Sequence, residues 1–172
     1  GYRPVVEIQF DGFVYPAYDQ IVCQVAKMHF RSQGKSKMPM VIRIPFGGGI
    51  GAVEHHSESP EAQFAHTPGL KVVACSNPVD GFWMIQQAIA TDDPVIFLEP
   101  KRQYHADKAD LDEDATPAPL FESRVVRQGG DVVTRRARTG RAAGDGDRVR
   151  AARARADVVG GERCADGERE LA

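Results

Sequence analysis

The chain has 172 residues, enough for one ordinary domain with a buried core, and its formal net charge of −2 offers no general attraction to nucleic acid or to a membrane surface. Its cysteines, Cys23, Cys75 and Cys164, form no CxxC pair, which points away from a zinc knuckle or a disulfide framework and towards a reducing cytoplasm. No apolar run reaches the roughly 18 residues of a membrane span, and "GYRPVVEIQF" lacks the charged-then-apolar order of a signal peptide.

Without an initiating Met, and entering a strand pattern almost at once, the chain reads as one that starts in mid-domain. "VVEIQF" (5–10) is β-branched, preceded by Pro4 and followed by "DG", which predicts a strand. "PAYDQIVCQVAKMHFRS" predicts a helix with Pro16 in its first turn and Ile21, Val22, Val25 and Met28 as its apolar stripe. His29 extends that stripe and reads as a half-buried packing residue. "PMVIRIPF" predicts a second strand that runs into "GGGIG". In "SPEAQFAH", Ser59 is the expected cap, Pro60 the first helical residue, and Glu61 complements the helix dipole. "GLKVVACS" predicts a third strand. "NPVDGFWMIQQAIATD" predicts a helix capped by Asn77, and "DPVIFLEP" a fourth, short apolar strand.

Strands alternating with helices predict an α/β domain with a mostly parallel sheet and helices on both faces. Residues 1–101 form this domain, 102–120 an acidic linker, and 121–133 the start of a C-terminal domain with a strand pair around Gly129 and Gly130. From 134 onward the chain is mostly Arg, Ala, Gly and Asp, with little to fill a core. Three readings of this tail stand open. It is a solvated, disordered or irregular tail; a basic nucleic-acid arm; or the product of a shifted reading frame, since GC-rich codons read out of frame give these residues. The interspersed acids and the lack of aromatics among the arginines disfavour nucleic acid.

Ligands of open parallel sheets bind at the carboxyl ends of the strands. "DGFVYP" and "FGGGIGAVEHHSES" both follow strands and are therefore placed at that edge. The glycine loop lacks the Gly-Lys-Ser/Thr of a phosphate loop and the spacing of a dinucleotide fingerprint. The adjacent His55 and His56 lack the i, i+4 spacing of a helical zinc pair, although Glu54 or His66 could contribute. An imidazole at a loop tip suits proton transfer, and it equally suits an exposed or backbone-bonded histidine. Composition leaves these alternatives open.

Taken together, "RPVVEIQFDGFVYPAYDQIVCQVAKMHFRS", "MPMVIRIPFGGGIGAVEHHSESPEAQFAHTPGLKVV" and "SNPVDGFWMIQQAIATDDPVIFLEPK" closely resemble the beta subunit of the decarboxylating component of 2-oxo acid dehydrogenases. The match runs from about Gly1 to Lys101 and continues weakly into "SRVVRQGGDVV". The resemblance implies a transketolase-type pyrimidine-binding domain in a heterotetramer of two alpha and two beta subunits. It implies thiamin diphosphate held between the subunits, with the alpha subunit supplying the diphosphate and magnesium ligands. It implies oxidative decarboxylation of a 2-oxo acid and transfer of the acyl unit to a lipoyl group of the acyltransferase core. No nucleic-acid or membrane partner is implied. Phe13 matches the aromatic position that packs on the aminopyrimidine, often Tyr in the family, so a contact through a phenolic hydroxyl would be missing. His56 matches the active-site histidine that moves a proton during lipoyl acylation, and His55 falls where members vary. A structural potassium ion is implied on backbone carbonyls at positions matching Met38, Met40, Val41, Ala88, Thr91 and Asp93.

Two departures qualify the match. The family's cofactor-activating glutamate belongs upstream of "GYRPVVEIQF", so none of the present glutamates takes its role, and the complete C-terminal domain is replaced by the tail. The chain is expected to be a fragment or the product of a damaged gene, inactive alone. The "IQFDGFVYPAYDQIV" segment favours a branched-chain substrate of the 2-oxoisovalerate type, with pyruvate as the alternative, and a non-catalytic interaction module is a second reading. Glu7, Asp19 and Glu99 read as structural, as do Trp83, Met84 and Ile85. Cys23 and Cys75 read as buried small apolar residues.

Overall fold

The computed structural model describes residues 1–106 and 108–122, together with the backbone of residues 124–127 and 134–136. The chain divides into two compact units, the first of them containing Gly1–Glu122. In the first unit, four strands, β1 (Val5–Glu7), β2 (Val41–Phe46), β3 (Lys71–Ala74) and β4 (Val95–Pro100), form one sheet in the order β1-β2-β4-β3. Every pairing is parallel. In the second unit, β5 (Arg124–Arg127) and β6 (Thr134–Arg136) pair antiparallel. The tail expected from 134 onward otherwise lies outside the described residues, as do Gly129 and Gly130.

Side-chain alternation divides the core between the two faces of the sheet. Ile42, Ile44, Val72, Ile96 and Leu98 pack on one face with Val14, Ile21 and Phe64, which come from the segments after β1 and β2. Val41, Val73, Val95 and Phe97 pack on the other with Met84 and Ala88. These last two belong to the helix α4 (Pro78–Ala90), which links β3 to β4. The sheet order explains the division. The chain steps one way along the sheet from β1 to β3 and then back to β4, and right-handed crossovers put the reversing helix on the opposite face. Leu120, at the end of the segment expected as a linker, is buried in the α4-side cluster. Gln87 donates to the carbonyl of Ala118 at 3.1 Å.

The helix α4 forms as its sequence dictates. Asn77 Oδ1 accepts from the Asp80 N–H at 2.8 Å and Pro78 occupies the first turn, a cap worth about 1 kcal/mol. The first helical region departs from expectation. It begins at Val14, giving α1 (Val14–Gln20), widens into a π-turn at Ile21–Val25, and resumes as α2 (Met28–Arg31). The Ala26 N–H donates five residues back to the carbonyl of Ile21 at 2.9 Å. This extra residue rotates the expected stripe, so Ile21 and Ala26 are buried while Val22 and Val25 are half-buried and Met28 exposed. Cys23 is turned outward and exposed, not buried as expected; Cys75 is half-buried. His29 is half-buried and its Nδ1 lies 3.0 Å from Asp93 Oδ1. The helix α3 (Glu61–Ala65) enters through Pro60, and Ser59 makes no capping bond.

At the amino-terminal edge, the Arg3 guanidinium donates to the carbonyls of Ile89 and Thr91 and to Asp92, which also bonds Lys37. The hydrogen bond from Lys37, then that from Arg3, holds the Asp92 carboxyl below the ordinary carboxylate value. A carboxylate with a lowered folded pKa contributes stability that is complete above its unfolded value, about 3.9, and is lost as pH falls through the lower folded value. The thermal midpoint of the protein is therefore expected to fall more between about pH 5 and about pH 3 than that of Asp92→Asn. Parallel pH profiles for the two proteins would remove this pair from the account.

No helix among the described residues is long and apolar enough to cross a membrane.

Candidate active site

Three segments leave the carboxyl ends of β1, β2 and β4 and meet at one edge of the sheet. After β1 the chain closes a single 3-10 turn, Asp11–Phe13, with the Phe13 N–H donating to the carbonyl of Phe10 at 3.0 Å. After β2 comes the glycine loop, in which Gly47, Gly49 and Gly51 all take positive φ. The Gly47 N–H donates to the Glu58 carbonyl at 2.8 Å and Ser57 Oγ to the Ala52 carbonyl at 2.6 Å, closing the loop on itself. After β4 a second 3-10 turn, Lys101–His105, carries Arg102 against Gly49.

The first two segments touch through their main chains. Gly12 donates its N–H to the His55 carbonyl at 3.0 Å, and a Cβ at Gly12 would stand 2.3 Å from His55 Cα. Only a residue without a side chain fits there. His55 itself has φ +61° and is exposed. This contact brings His56 into an aromatic cluster. Its ring centroid lies 4.2 Å from Phe10 and 6.0 Å from Phe13. Phe13 is 45 % exposed, an open aromatic surface at the ligand-binding edge. His56 Nδ1 is 3.3 Å from the Glu54 carbonyl oxygen. Nearby, Tyr15 donates to Glu58 Oε2 at 3.3 Å.

Two residues beneath the cluster were not singled out from the sequence. Lys101 Nζ and Asp11 Oδ1 form an ion pair at 2.8 Å, with side chains 4 % and 0 % exposed. Asp11 Oδ2 is buried without a hydrogen-bond partner. The Lys101 ammonium also stands 5.8 Å from the Phe10 ring centroid. A lysine directly after an apolar strand, and an aspartate in a turn after another, were the available signals. Nothing in either stretch alone shows that they meet.

The remaining candidates lie elsewhere. Glu99 accepts two bonds from Arg43, at 2.7 and 3.0 Å, and one from Tyr104 at 2.7 Å; Arg43 also reaches Glu7 at 3.2 Å. Burial, then the hydrogen bond to Glu99, pushes the Tyr104 phenol above its ordinary range. This network borders a cleft of about 860 Å³ beside α4, lined by Val5, Cys75 and Phe97 among others, which does not include Phe13 or His56. Arg43, Glu99 and Tyr104 in this cleft are already paired with one another, so the exposed aromatic–imidazole cluster is the better candidate for chemistry.

Met38, Met40, Val41, Ala88, Thr91 and Asp93 sit around the start of β2 and the end of α4, at the opposite edge of the sheet from His56. The Met40 carbonyl accepts from Val95 at 2.9 Å, that of Ala88 from Thr91 at 3.2 Å, and that of Thr91 from Arg3 at 2.9 Å. Each of these carbonyls keeps a second lone pair. Among the described residues, no group of three or more His, Cys, Asp and Glu side chains could hold a metal ion.

A parallel α/β domain carrying an aromatic–imidazole cluster on the loops beyond its strands belongs to the class that binds ligands at the carboxyl edge. The chain matches the transketolase pyrimidine-binding domain over residues 1–106 and belongs to that family. It is 62 % identical over 131 residues to the pyruvate dehydrogenase E1 component subunit beta of Leifsonia xyli, covering 76 % of this chain and 39 % of that protein. It is 51 % identical over 132 residues to the 3-methyl-2-oxobutanoate dehydrogenase subunit beta of Mycobacterium tuberculosis, covering 77 % and 38 %. With the 2-oxoisovalerate dehydrogenase subunit beta of Bacillus subtilis it shares 40 % over 132 residues, covering 77 % and 40 %. The chain thus spans about two-fifths of the length of these relatives. Its fold also resembles a solved split-gene transketolase described as an inactive beta4 tetramer, with a TM-score of 0.57 at 15 % identity, covering 75 % of this chain and 38 % of that one.

Proposed function

We propose that the chain is part of the beta subunit of a thiamin-diphosphate-dependent 2-oxo acid dehydrogenase, acting with an alpha subunit and passing its acyl product to a lipoyl acyltransferase core. The observation that carries this reading is the joining of Phe10, Phe13 and His56 at the carboxyl edge of a pyrimidine-binding domain. The residues present fit one half of the cofactor. Phe13 offers an open flat surface suited to an aminopyrimidine, while the diphosphate and magnesium fall to the alpha partner. The bound cofactor would supply the electron sink needed to lose carbon dioxide from a 2-oxo acid.

The chain's own contribution is then steric and protonic. Phe10 and Phe13 form an apolar wall that limits water around the reacting end of the ligand. His56 is the group that moves a proton as the acyl unit passes to a lipoyl sulfur, since imidazole changes charge close to working pH. If Nδ1–H donates to the Glu54 carbonyl, Nε2 is the nitrogen left to exchange that proton. Potassium on the carbonyls near Met38 and Thr91, and a cytoplasmic setting, belong to the same reading.

The substrate is proposed to be a branched-chain 2-oxo acid, on the likeness of "IQFDGFVYPAYDQIV" to such enzymes. The pyruvate dehydrogenase name of the relative at 62 % identity favours the alternative, pyruvate. The test combines the beta subunit with its alpha partner, cofactor and a lipoyl domain, and compares 2-oxoisovalerate with pyruvate. Faster use of pyruvate overturns the substrate choice, and turnover of neither overturns the reaction. The 172-residue chain by itself is expected to release no carbon dioxide from either acid, and detectable release would refute its dependence on a partner.

A further inference from the structure

We propose that Asp11 and Lys101 are a positioning pair that sets the place of His56. The proposal rests on the proton-transfer reading of His56 for its catalytic meaning, but its structural content stands apart from that reading. A buried lysine and aspartate are costly to desolvate, and such a pair is not in itself good evidence of a contribution to stability. Here the pair joins two segments that no backbone bond of their own ties together. Lys101 is the first residue after β4, the strand that pairs with both β2 and β3. Asp11 opens the turn after β1, an edge strand of three exposed residues. The 2.8 Å contact therefore pins a turn on a weakly held edge to the middle of the sheet.

What the turn carries explains the consequence. Phe10 precedes Asp11 and stacks on His56, while Gly12 follows it and bonds the backbone of His55. Both flanks of Asp11 thus hold the His56 loop, and moving Asp11 moves both. The fully buried Asp11 leaves Oδ2 without a partner, so Lys101 is the one hydrogen-bonded anchor of its side chain among the described residues.

The test uses the 172-residue chain with labelled histidine and follows the His56 ring protons by NMR, with Phe10→Leu marking the position they take when the stacked ring is lost. Lys101→Met is expected to shift them to the Phe10→Leu position and to lower the thermal midpoint. The double variant Asp11→Asn with Lys101→Met removes both buried charges, and its midpoint is expected to recover while the His56 signals do not. Recovery of both would mean the pair is only structural and would overturn the proposal. So would His56 signals that stay at the native position in either variant. In the subunit combined with its alpha partner, the double variant is expected to slow lipoyl acylation by about 10²-fold, the scale of a misplacement of about 1 Å. If the native subunit shows no acylation, the reading of the reaction fails while the NMR result still decides the positioning.

Discussion

Replacing Gly69 by Ala is expected to destabilise the domain by about 3 kcal/mol or more, lowering the thermal midpoint by roughly 12 °C or more for a domain of this size. Two effects coincide at this position. The backbone has φ +99°, a conformation costly for any residue with a Cβ. A Cβ there would also stand 1.9 Å from the Ala26 carbonyl oxygen and 2.9 Å from its carbon. Backbone atoms cannot rotate aside as a side chain can, so the π-turn around Ala26 would have to shift as a unit. Lys27, which donates to the Pro68 carbonyl at 2.6 Å, would shift with it. Gly47→Ala is the control, since its φ is +85° but nothing lies within 4 Å of its missing Cβ. Urea unfolding of the two variants separates conformation from collision. Equal losses would mean that the close approach to Ala26 relaxes freely.

If the chain acts as proposed, replacing His56 by Gln is expected to lower lipoyl acylation by about 10²- to 10⁴-fold, the range lost with a proton-transferring side chain. Decarboxylation measured with an artificial electron acceptor, in the subunit combined with its alpha partner, is expected to fall much less. Glutamine keeps polarity and approximate length but has no proton to exchange near neutral pH. The fold should persist, because among the described residues the one hydrogen bond of the His56 ring is that at 3.3 Å to the Glu54 carbonyl. Equal loss in both assays would assign His56 to holding the cofactor instead, and no loss in either would remove it from the chemistry.

The sequence reveals most where one physical cause acts locally. The helix α4 is legible because Asn77 and Pro78 fix its start and Met84 and Ala88 repeat at helical spacing. The inner strand β4 is legible because Val95–Leu98 is buried on both faces and reads as an unbroken apolar run, and β2 is apolar apart from the half-buried Arg43. The helix after β1 was half legible. Its position follows from composition, but the inserted residue at Ile21–Val25 changes which side chains face inward, and no local pattern marks it. That is why Cys23 and Met28 end on the surface. Around the candidate site, the glycine loop and His56 stand out by composition and by family likeness. The Asp11–Lys101 pair does not, because the two residues become neighbours only when β4 takes its place in the sheet.

That order of strands also constrains how the domain is made. β4 is central in space yet the last of the four to be synthesised; β3 depends on it alone for pairing, and β2 depends on it for the partner on its second edge. Until it emerges, a nascent chain can join β1 to β2, but β3 has no neighbour to pair with and the apolar faces of both strands lie open. At about 5–20 residues per second, this interval lasts on the order of seconds, ample time for a chaperone to bind or for two nascent chains to associate. The arrival of Val95–Pro100 then closes the sheet in one step, and it delivers Lys101 to the edge of the candidate site in the same movement.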